Sequence, residues 1–511
     1  MPKIALRANE ATRLAVSDAI SVLKANLGIP IEFSPQALAE ASEATHIDIR
    51  TLRDYTDIPF VTLDPEGSRD LDQAVFLEET TDGFTVYYAI AALHLFVKPN
   101  GALDKELRER GQSVYLPDGT IPLHPREISE DAASLLPAVD RPAYVWTHEL
   151  DRSGQLLRSQ IRLGRVRSRA QLSYTQVQAI VDGSDKLPPE APHSLVYLLK
   201  TIGELRMRAE IERGGISLDL PEQRIESTDE GFKLVFRELT AVENWNAQIS
   251  LLTGMAAAAM MTKGNVGLLR ILPPAHDADV ERLRRVANAL GLHWGQRTSY
   301  PEFLHTLDPR DGAALVFLDQ AAGLFRGAGY LSLPEREDTK GEPDRRVHGA
   351  IAAEYAHVTA PLRRLADRYG LEVCRCLCEG DPIPEWVTEM LPQLPLIMNE
   401  SNRRVNTLEK RALGAVEGLI LQGREGEEFT ATVIELKDKY EQKGQKGKVT
   451  QSAEEESLQR GKIMLGEPAL EATVYGENLP LGEKISVVLD QVDLVKGKSY
   501  FRTVSGAEPL T

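Results

Sequence analysis

The chain has 511 residues, enough for about three domains and at least one sizeable core. Hydrophobic residues at 42% and charged residues at 26% exclude wholesale disorder. Lys and Arg total 59 against 76 Asp and Glu, a formal charge of −17 that excludes a surface coated in nonspecific polyanion contacts, so any nucleic-acid site is local.

Residues 1 to 55 read as three short helices. The first is capped by Asn9, runs to Leu27 and is ended by Gly28 and Pro30; the second opens at Ser34-Pro35; the third covers Thr45 to Tyr55. They fit a helix-turn-helix or winged-helix domain and equally a plain helical cap, since no basic cluster marks a recognition helix. From Asp57 to Asp151 short β-branched and aromatic runs, Phe60–Leu63, Ala74–Leu77 and Phe84–Ile90, predict a mixed sheet. Helical segments follow at Ser194–Arg213, Glu238–Thr262, Asp277–Leu290, Pro361–Cys378 and Met398–Leu421. The fold class is therefore α+β, without an even βαβ rhythm. After Gly423 short strands predict a small β-barrel, with Lys437 to Lys462 as a loop between strands. The expected domains are residues 1–55, 56–421 and 422–511.

The most apolar run, Gly254 to Met261, falls far short of the ~20 residues of a membrane span. The first ten residues lack the apolar core of a secretory signal, so the expectation is a cytoplasmic protein without a membrane partner. Cys374, Cys376 and Cys378, two residues apart, suit reduced structural thiols and neither a disulfide framework nor a zinc site.

The densest chemical signal is Phe60-Val-Thr-Leu-Asp64-Pro-Glu-Gly-Ser-Arg-Asp70-Leu-Asp72-Gln73. A strand delivers Asp64 into a Pro/Gly turn, and Asp70 and Asp72 share a face if the returning segment is extended. Carboxylates gathered this closely repel unless protons or a hard cation such as magnesium intervene. An acidic surface turn is the alternative; an EF-hand is excluded by the missing glycine and glutamate positions. A second constellation is Glu354-Tyr-Ala-His357-Val-Thr359-Ala-Pro-Leu-Arg363-Arg364-Leu-Ala-Asp367-Arg368. With Thr359 as N-cap, Arg363 and Arg364 would sit at a helix amino terminus suited to a phosphate. Alternatively Arg363 pairs with Asp367 on a solvated face. Arg162, Arg165, Arg167 and Arg169, with Arg345, Arg346, Arg364 and Arg368, line a channel in one reading and a solvated edge strand in the other.

In that order, strand, D-P-x4-D-x-D, then a distant Y-x-H-x-T-x-P-x-R-R, the two constellations resemble the catalytic domain of the ribonuclease II family. Gly111-Gln-Ser-Val-Tyr-Leu-Pro117, Ala133-Ser-Leu-Leu-Pro137 and Arg169-Ala-Gln-Leu-Ser-Tyr174 are similar to further segments of it, and the resemblance covers roughly residues 56 to 421. It implies an RNB-type catalytic domain and a hydrolytic, processive 3′-to-5′ exoribonuclease. Such an enzyme acts as a monomer on single-stranded RNA with a free 3′ end and releases 5′-mononucleotides. Magnesium, with manganese as a substitute, would be held by Asp64, Asp70 and Asp72. Asp72, Arg363 and Glu409 would be catalytic; Tyr115, Tyr174, His357, Thr359, Arg364 and Arg167 would bind RNA. The last strands resemble an S1-like OB barrel.

The sequence departs from the family pattern at Gln73 and Ala92, where aspartates are usual, and at Leu218, where a base-gripping aromatic is usual. Helices also stand where cold-shock barrels are usual. Gln73 retains an amide oxygen to offer a cation but brings no charge. The two lost carboxylates keep open an alternative, a catalytically impaired RNA-binding or regulatory protein.

Overall fold

A computed structural model describes residues 10–218, 222–228, 231–308, 310–335, 346–437, 459–493 and 497–504. The chain opens with α1 (Glu10–Asn26) and α2 (Pro35–Ala44), the latter started by Ser34, whose hydroxyl accepts from the Ala37 amide. Then come β1 (Arg53–Asp54), β2 (Phe60–Asp64), β3 (Gln73–Glu79), β4 (Gly83–Ala91), α3 (Ala102–Arg110), β5 (Val114–Leu116), β6 (Gly119–Ile121), β7 (Asp140–Asp151) and β8 (Leu156–Ser173). Next are α4 (Tyr174–Val181), α5 (Leu195–Glu212), β9 (Glu222–Thr228), β10 (Gly231–Arg237), α6 (Ala241–Gly264), β11 (Gly267–Ile271), α7 (Asp277–Ala289), α8 (Tyr300–Leu304), α9 (Gly312–Ala322) and β12 (Gly329–Leu333). The remainder is β13 (Val347–His348), β14 (Ala353–Glu354), α10 (Leu365–Glu379), α11 (Glu385–Thr388), α12 (Leu394–Leu421), and β15 (Glu428–Lys437), β16 (Gln459–Gly466), β17 (Ala469–Gly476), β18 (Lys484–Asp493) and β19 (Lys498–Thr503).

The α+β expectation holds. The main sheet has the order β1-β8-β2-β3-β4-β7, and β8 also pairs with β7. Being 18 residues long, β8 lies antiparallel to β7 along its first part and parallel to β2 along its last, so five strands form a circuit of pairings. One face of the sheet packs Val61, Val75, Tyr88, Trp146 and Leu172 against the helices; the other buries Phe60, Ala74, Ala89, Val145 and Val166 with Leu71 and Leu135. Helix α6, fixed at its start by a capping box between Thr240 and Glu243, crosses the first face. The site described below lies where β2 ends, β3 begins and β8 hands over to α4.

Strands β15 to β19 form a closed barrel, as expected of an S1-like OB domain. Its core takes in Ala412, Val416, Ile420 and Leu421 of α12, together with Ile20 of α1 and Leu234 of β10. The fit is tight at Gly414, where a Cβ would stand 2.8 Å from the Gly497 carbonyl oxygen.

Three expectations are corrected. Thr45 to Tyr55 forms no helix; it turns and places β1 alongside β8, with the Tyr55 amide on the Arg165 carbonyl. Helices α1 and α2 are not a helix-turn-helix pair, because α1 packs on α12 and α2 on α3. The supposed loop ending at Lys462 already contains strand from Gln459; its middle, 438–458, lies outside the described residues, as do Asn9 and Arg345. Among the described residues no helix is long and apolar enough to cross a membrane.

Candidate active site

Asp64 is the last residue of β2, and the chain turns through Pro65 to Gly67, the latter at φ 81°, before returning through Asp70 and Asp72 into β3. The returning segment is held by the Ala133–Pro137 stretch. The Ser134 hydroxyl donates to the Arg69 carbonyl at 2.6 Å and accepts from the Leu71 amide at 3.0 Å, while the Leu135 amide donates to the Leu71 carbonyl at 3.0 Å. This pinning gives Ser134 a structural role that neither of its neighbours' chemistry disclosed.

Asp72 is buried, 5% exposed. Its Oδ1 accepts from the Leu362 amide at 2.7 Å, and its Oδ2 lies 3.8 Å from Nε of Arg363, whose side chain is half exposed. One carboxylate thus ties the two constellations, 290 residues apart, into a single site. Burial pushes the Asp72 carboxyl well above its ordinary range, opposed by Arg363 and the Leu362 amide. Burial, with Asp70 nearby, pushes Asp64 up to about 7, and Asp64 Oδ2 is buried without a hydrogen-bond partner. A buried carboxylate lacking a donor is costly unless a proton or cation meets it. Hard oxygen donors of this kind fit magnesium, which takes one or two carboxylates and fills its other positions with water and phosphate oxygens. Among the described residues no group of three His, Cys, Asp or Glu side chains stands ready to enclose a metal. Of the three carboxylates expected to hold the cation, Asp72 has its Oδ1 taken by the Leu362 amide, while its Oδ2 lies 3.8 Å from Arg363 Nε, beyond hydrogen-bond distance.

The tyrosines flank this cluster. Tyr115, on β5 and 46% exposed, donates its hydroxyl to Asp70 at 3.3 Å. Tyr174 opens α4, accepts from the Asn246 side chain at 3.1 Å and has its hydroxyl pushed up to about 12 by burial and by Asp64. Glu409 reaches the same place from α12: it takes a backbone hydrogen bond from Tyr115, while burial raises its carboxyl pKa.

Other expected residues form the frame behind the cluster. Thr359 is not an N-cap; α10 starts at Leu365 with Arg364 before it, and Thr359 is 4% exposed with its carbonyl accepting from the Gln73 amide. Arg364 is spent on Asp367, at 2.8 and 2.9 Å, and the alternative pairing of Arg363 with Asp367 is replaced by the approach of Arg363 to Asp72. His357 shares a 2.7 Å hydrogen bond with Tyr330 and is held neutral by burial and by Arg364 and Arg270. The arginine row on β8 does keep the two-residue period, but Arg162 pairs with Glu379, Arg165 with Asp54 and Asp140, and Arg167 with Asp140. Arg346 pairs with Glu335. Arg368 is 2% exposed, pairs with Asp104 at 2.8 Å and cannot line a channel.

The departures now have structural meanings. Gln73 offers no oxygen to a cation: its Oε1 accepts from Tyr88 at 2.8 Å and its amide is given to Thr359, so it fastens the Thr359–Arg363 segment to β3. Tyr88 shares its hydroxyl with Ser250 of α6 at 2.9 Å. Ala92 is fully buried, and Leu218 packs with Phe303 and Phe317 in a separate cluster among α7, α8 and α9. Leu362, Asn246, Tyr88 and Ser134 were missed in the sequence because each acts through a partner far along the chain; the Glu354–Arg368 constellation contained Leu362 and the Ala133–Pro137 motif contained Ser134, but neither disclosed its role.

Comparison with known proteins bears on the family and the fold. The chain is 25% identical to Ribonuclease R of Aquifex aeolicus (strain VF5) over 435 residues, 81% of this chain and 60% of the relative. It is 28% identical to Ribonuclease R of Escherichia coli (strain K12) over 355 residues, 65% of this chain and 40% of the relative, so it spans only about half the length of such relatives. The apo structure of Mycoplasma genitalium RNase R superposes with a TM-score of 0.80 at 18% identity, covering 96% of this chain and 78% of the other, a likeness of fold. The RNB domain family model matches residues 52–373, and the model described as RNase II-type exonuclease C-terminal S1 domain matches residues 427–504. With these two domains in this order, the chain belongs to the RNase II (RNB) family.

Proposed function

We propose that the chain is a hydrolytic, processive 3′-to-5′ exoribonuclease that acts as a cytoplasmic monomer on single-stranded RNA with a free 3′ end and releases nucleoside 5′-monophosphates. The observation that carries this reading is Asp72, buried, oriented by the Leu362 amide and set beside the half-exposed Arg363. Water adds to the last phosphodiester phosphorus and the bond to the preceding 3′-oxygen breaks, giving a shortened RNA with a 3′-hydroxyl and one mononucleotide. Negative charge grows on the phosphoryl oxygens, and Arg363 faces it with a guanidinium that no other described residue has fully claimed. Magnesium, or manganese in its place, would be held at Asp64 and Asp70 beside Asp72, and supplies Lewis-acid stabilisation and an acidified water. Tyr115 and Tyr174 offer ring faces to the terminal bases, a sequence-tolerant grip. Glu409 sets Tyr115 through its backbone.

A second reading, an RNA-binding protein with impaired turnover, is favoured by Gln73, whose amide is already engaged at both ends, and by Ala92. Incubation with 5′-labelled single-stranded RNA and Mg²⁺ separates the two. Shortening from the 3′ end with release of mononucleotides supports the nuclease. RNA that is retained but stays intact defeats it and leaves the binder.

A further inference from the structure

A cavity of about 450 Å³ opens between the β7–β8 turn, the end of α5 and the middle of α6. It lies on a different flank of α6 from the carboxylates. Asn246 and Ser250, four residues apart, reach Tyr174 and Tyr88, whereas Leu252, Met255 and Ala256 turn towards the cavity. Those three and Leu156 make its wall largely apolar, with Arg206 and Arg213 as its cationic groups.

Each arginine is anchored by one donor and keeps another in hand. Arg206, 4% exposed, donates Nη1 to the Gly154 carbonyl at 2.9 Å; its Nε is fully enclosed and closed to the cavity, which leaves Nη2, neither enclosed nor hydrogen-bonded to a described residue, to meet a ligand. Arg213 donates Nε to the Ile351 carbonyl at 2.7 Å; its Nη2 is enclosed as well, and Nη1, neither enclosed nor hydrogen-bonded to a described residue, is the donor it keeps for the cavity. Glu210, one of two acids between them in sequence, is taken up by the Ser217 hydroxyl at 2.7 Å and the Gln248 amide at 2.5 Å; Glu212, the other, stands at the cavity lining. Burial and Arg213 lower the Arg206 pKa to about 10, with Glu210 opposing, so it stays charged at neutral pH. Two fixed guanidiniums with spare donors suit an anion with several oxygens. The volume exceeds what an inorganic anion fills, and the apolar wall suits a flat ring.

We propose that this cavity binds a small phosphate monoester carrying a flat, largely apolar body, of which a nucleoside 5′-monophosphate is the type, with Arg206 and Arg213 on the phosphate and Leu156 and Met255 against the ring. The choice of nucleotide rests on the hydrolytic reading above, which would release that product; the anion site itself does not.

Calorimetric titration of the full chain, without RNA, with adenosine 5′-monophosphate, inorganic phosphate and adenosine tests the proposal independently of turnover. The monophosphate is expected to bind, with phosphate and adenosine each at least about tenfold weaker. Arg213→Met and Ala259→Trp, the latter blocking the exposed lip, should each cost at least about tenfold in affinity. Arg363→Ala should leave it unchanged, and thermal melts establish that every variant is folded. No heat at millimolar nucleotide, phosphate binding as tightly as the nucleotide, or a loss seen with Arg363→Ala and not with Arg213→Met would each overturn the proposal.

Discussion

Replacing Arg368 by Met separates a structural arginine from an RNA-contacting one. Arg368 is almost wholly enclosed, its guanidinium 2.8 Å from Asp104 and lying 4.8 Å over Trp386 and 5.0 Å over Tyr369. Methionine matches its stem and fills much of its volume, but Asp104, with no exposure, loses one of two arginine partners and keeps Arg108 and the Asn100 amide. Removing one partner of a buried pair costs about 3–5 kcal/mol, and the contacts Asp104 retains place this case near the lower end. At an unfolding entropy of ~2.1 cal/mol/K per residue, a body of roughly 370 residues has about 0.8 kcal/mol/K, so a loss of about 3 kcal/mol lowers Tm by about 4 °C. RNA affinity and its salt dependence should not move. The assay pairs a thermal melt with fluorescence titration of single-stranded RNA at several salt concentrations. An unchanged Tm together with a salt slope reduced by about one would show that Arg368 meets phosphate, and would refute the reasoning.

Asp72→Asn should cut single-turnover cleavage by about a thousandfold or more while RNA binding stays within a few fold, because it removes one charge at constant size; turnover near the parent's would move the site elsewhere. Arg363→Ala should lower kcat by about a hundredfold or more with a smaller change in KM, and a loss confined to KM would make it an RNA tether. Gln73→Asp, which restores the usual family residue, should raise neither activity nor metal affinity and should cost about 1–3 kcal/mol by setting a carboxylate against the Thr359 carbonyl; a gain in turnover would contradict the fastening role. Burial pushes the Glu417 carboxyl up to about 7, with Gln223 opposing and Glu471 adding to the rise. The folded state therefore holds a proton that the unfolded chain has released between about pH 4.5 and 7, so stability falls as pH rises through that window, by up to about 1.4 kcal/mol per unit. Urea midpoints of the parent and Glu417→Gln should coincide near pH 4.5 and separate by pH 8 in favour of the variant; a gap independent of pH would exclude this origin.

What was readable in the sequence was local. Asp64, Asp70 and Asp72 lie within nine residues, and their gathering followed from a strand, a turn and a returning strand. Four of the five barrel strands, all but β16, and the helices α5, α6, α7 and α12 were legible from apolar period within a few residues of their ends. Roles that depend on distant partners were not. Arg368 looks like any basic residue on a helix until Asp104, 264 positions away, is seen beneath it. Gln73 reads as a weakened ligand until Thr359, 286 positions away, takes its amide. The arginines of β8 announced a positive stripe, but Asp54, Asp140 and Glu379, drawn from three other segments, neutralise much of it. Likewise the propensity of α1 and α2 was visible and their docking onto α12 and α3 was not, since nothing in an amphipathic stripe names the surface that covers it.

Helix α12 is a single rod of 28 residues, about 42 Å at 1.5 Å per residue. Its first turns, at Leu394 and Met398, belong to the main core; Val405 and Leu408 in its middle grip the hairpin that carries Tyr115; its last turns are built into the barrel. The barrel therefore has no swivel of its own. A pull on a strand of RNA seated there would be borne by the same stiff strut that steadies Tyr115, and the two ends of the protein must yield or hold together.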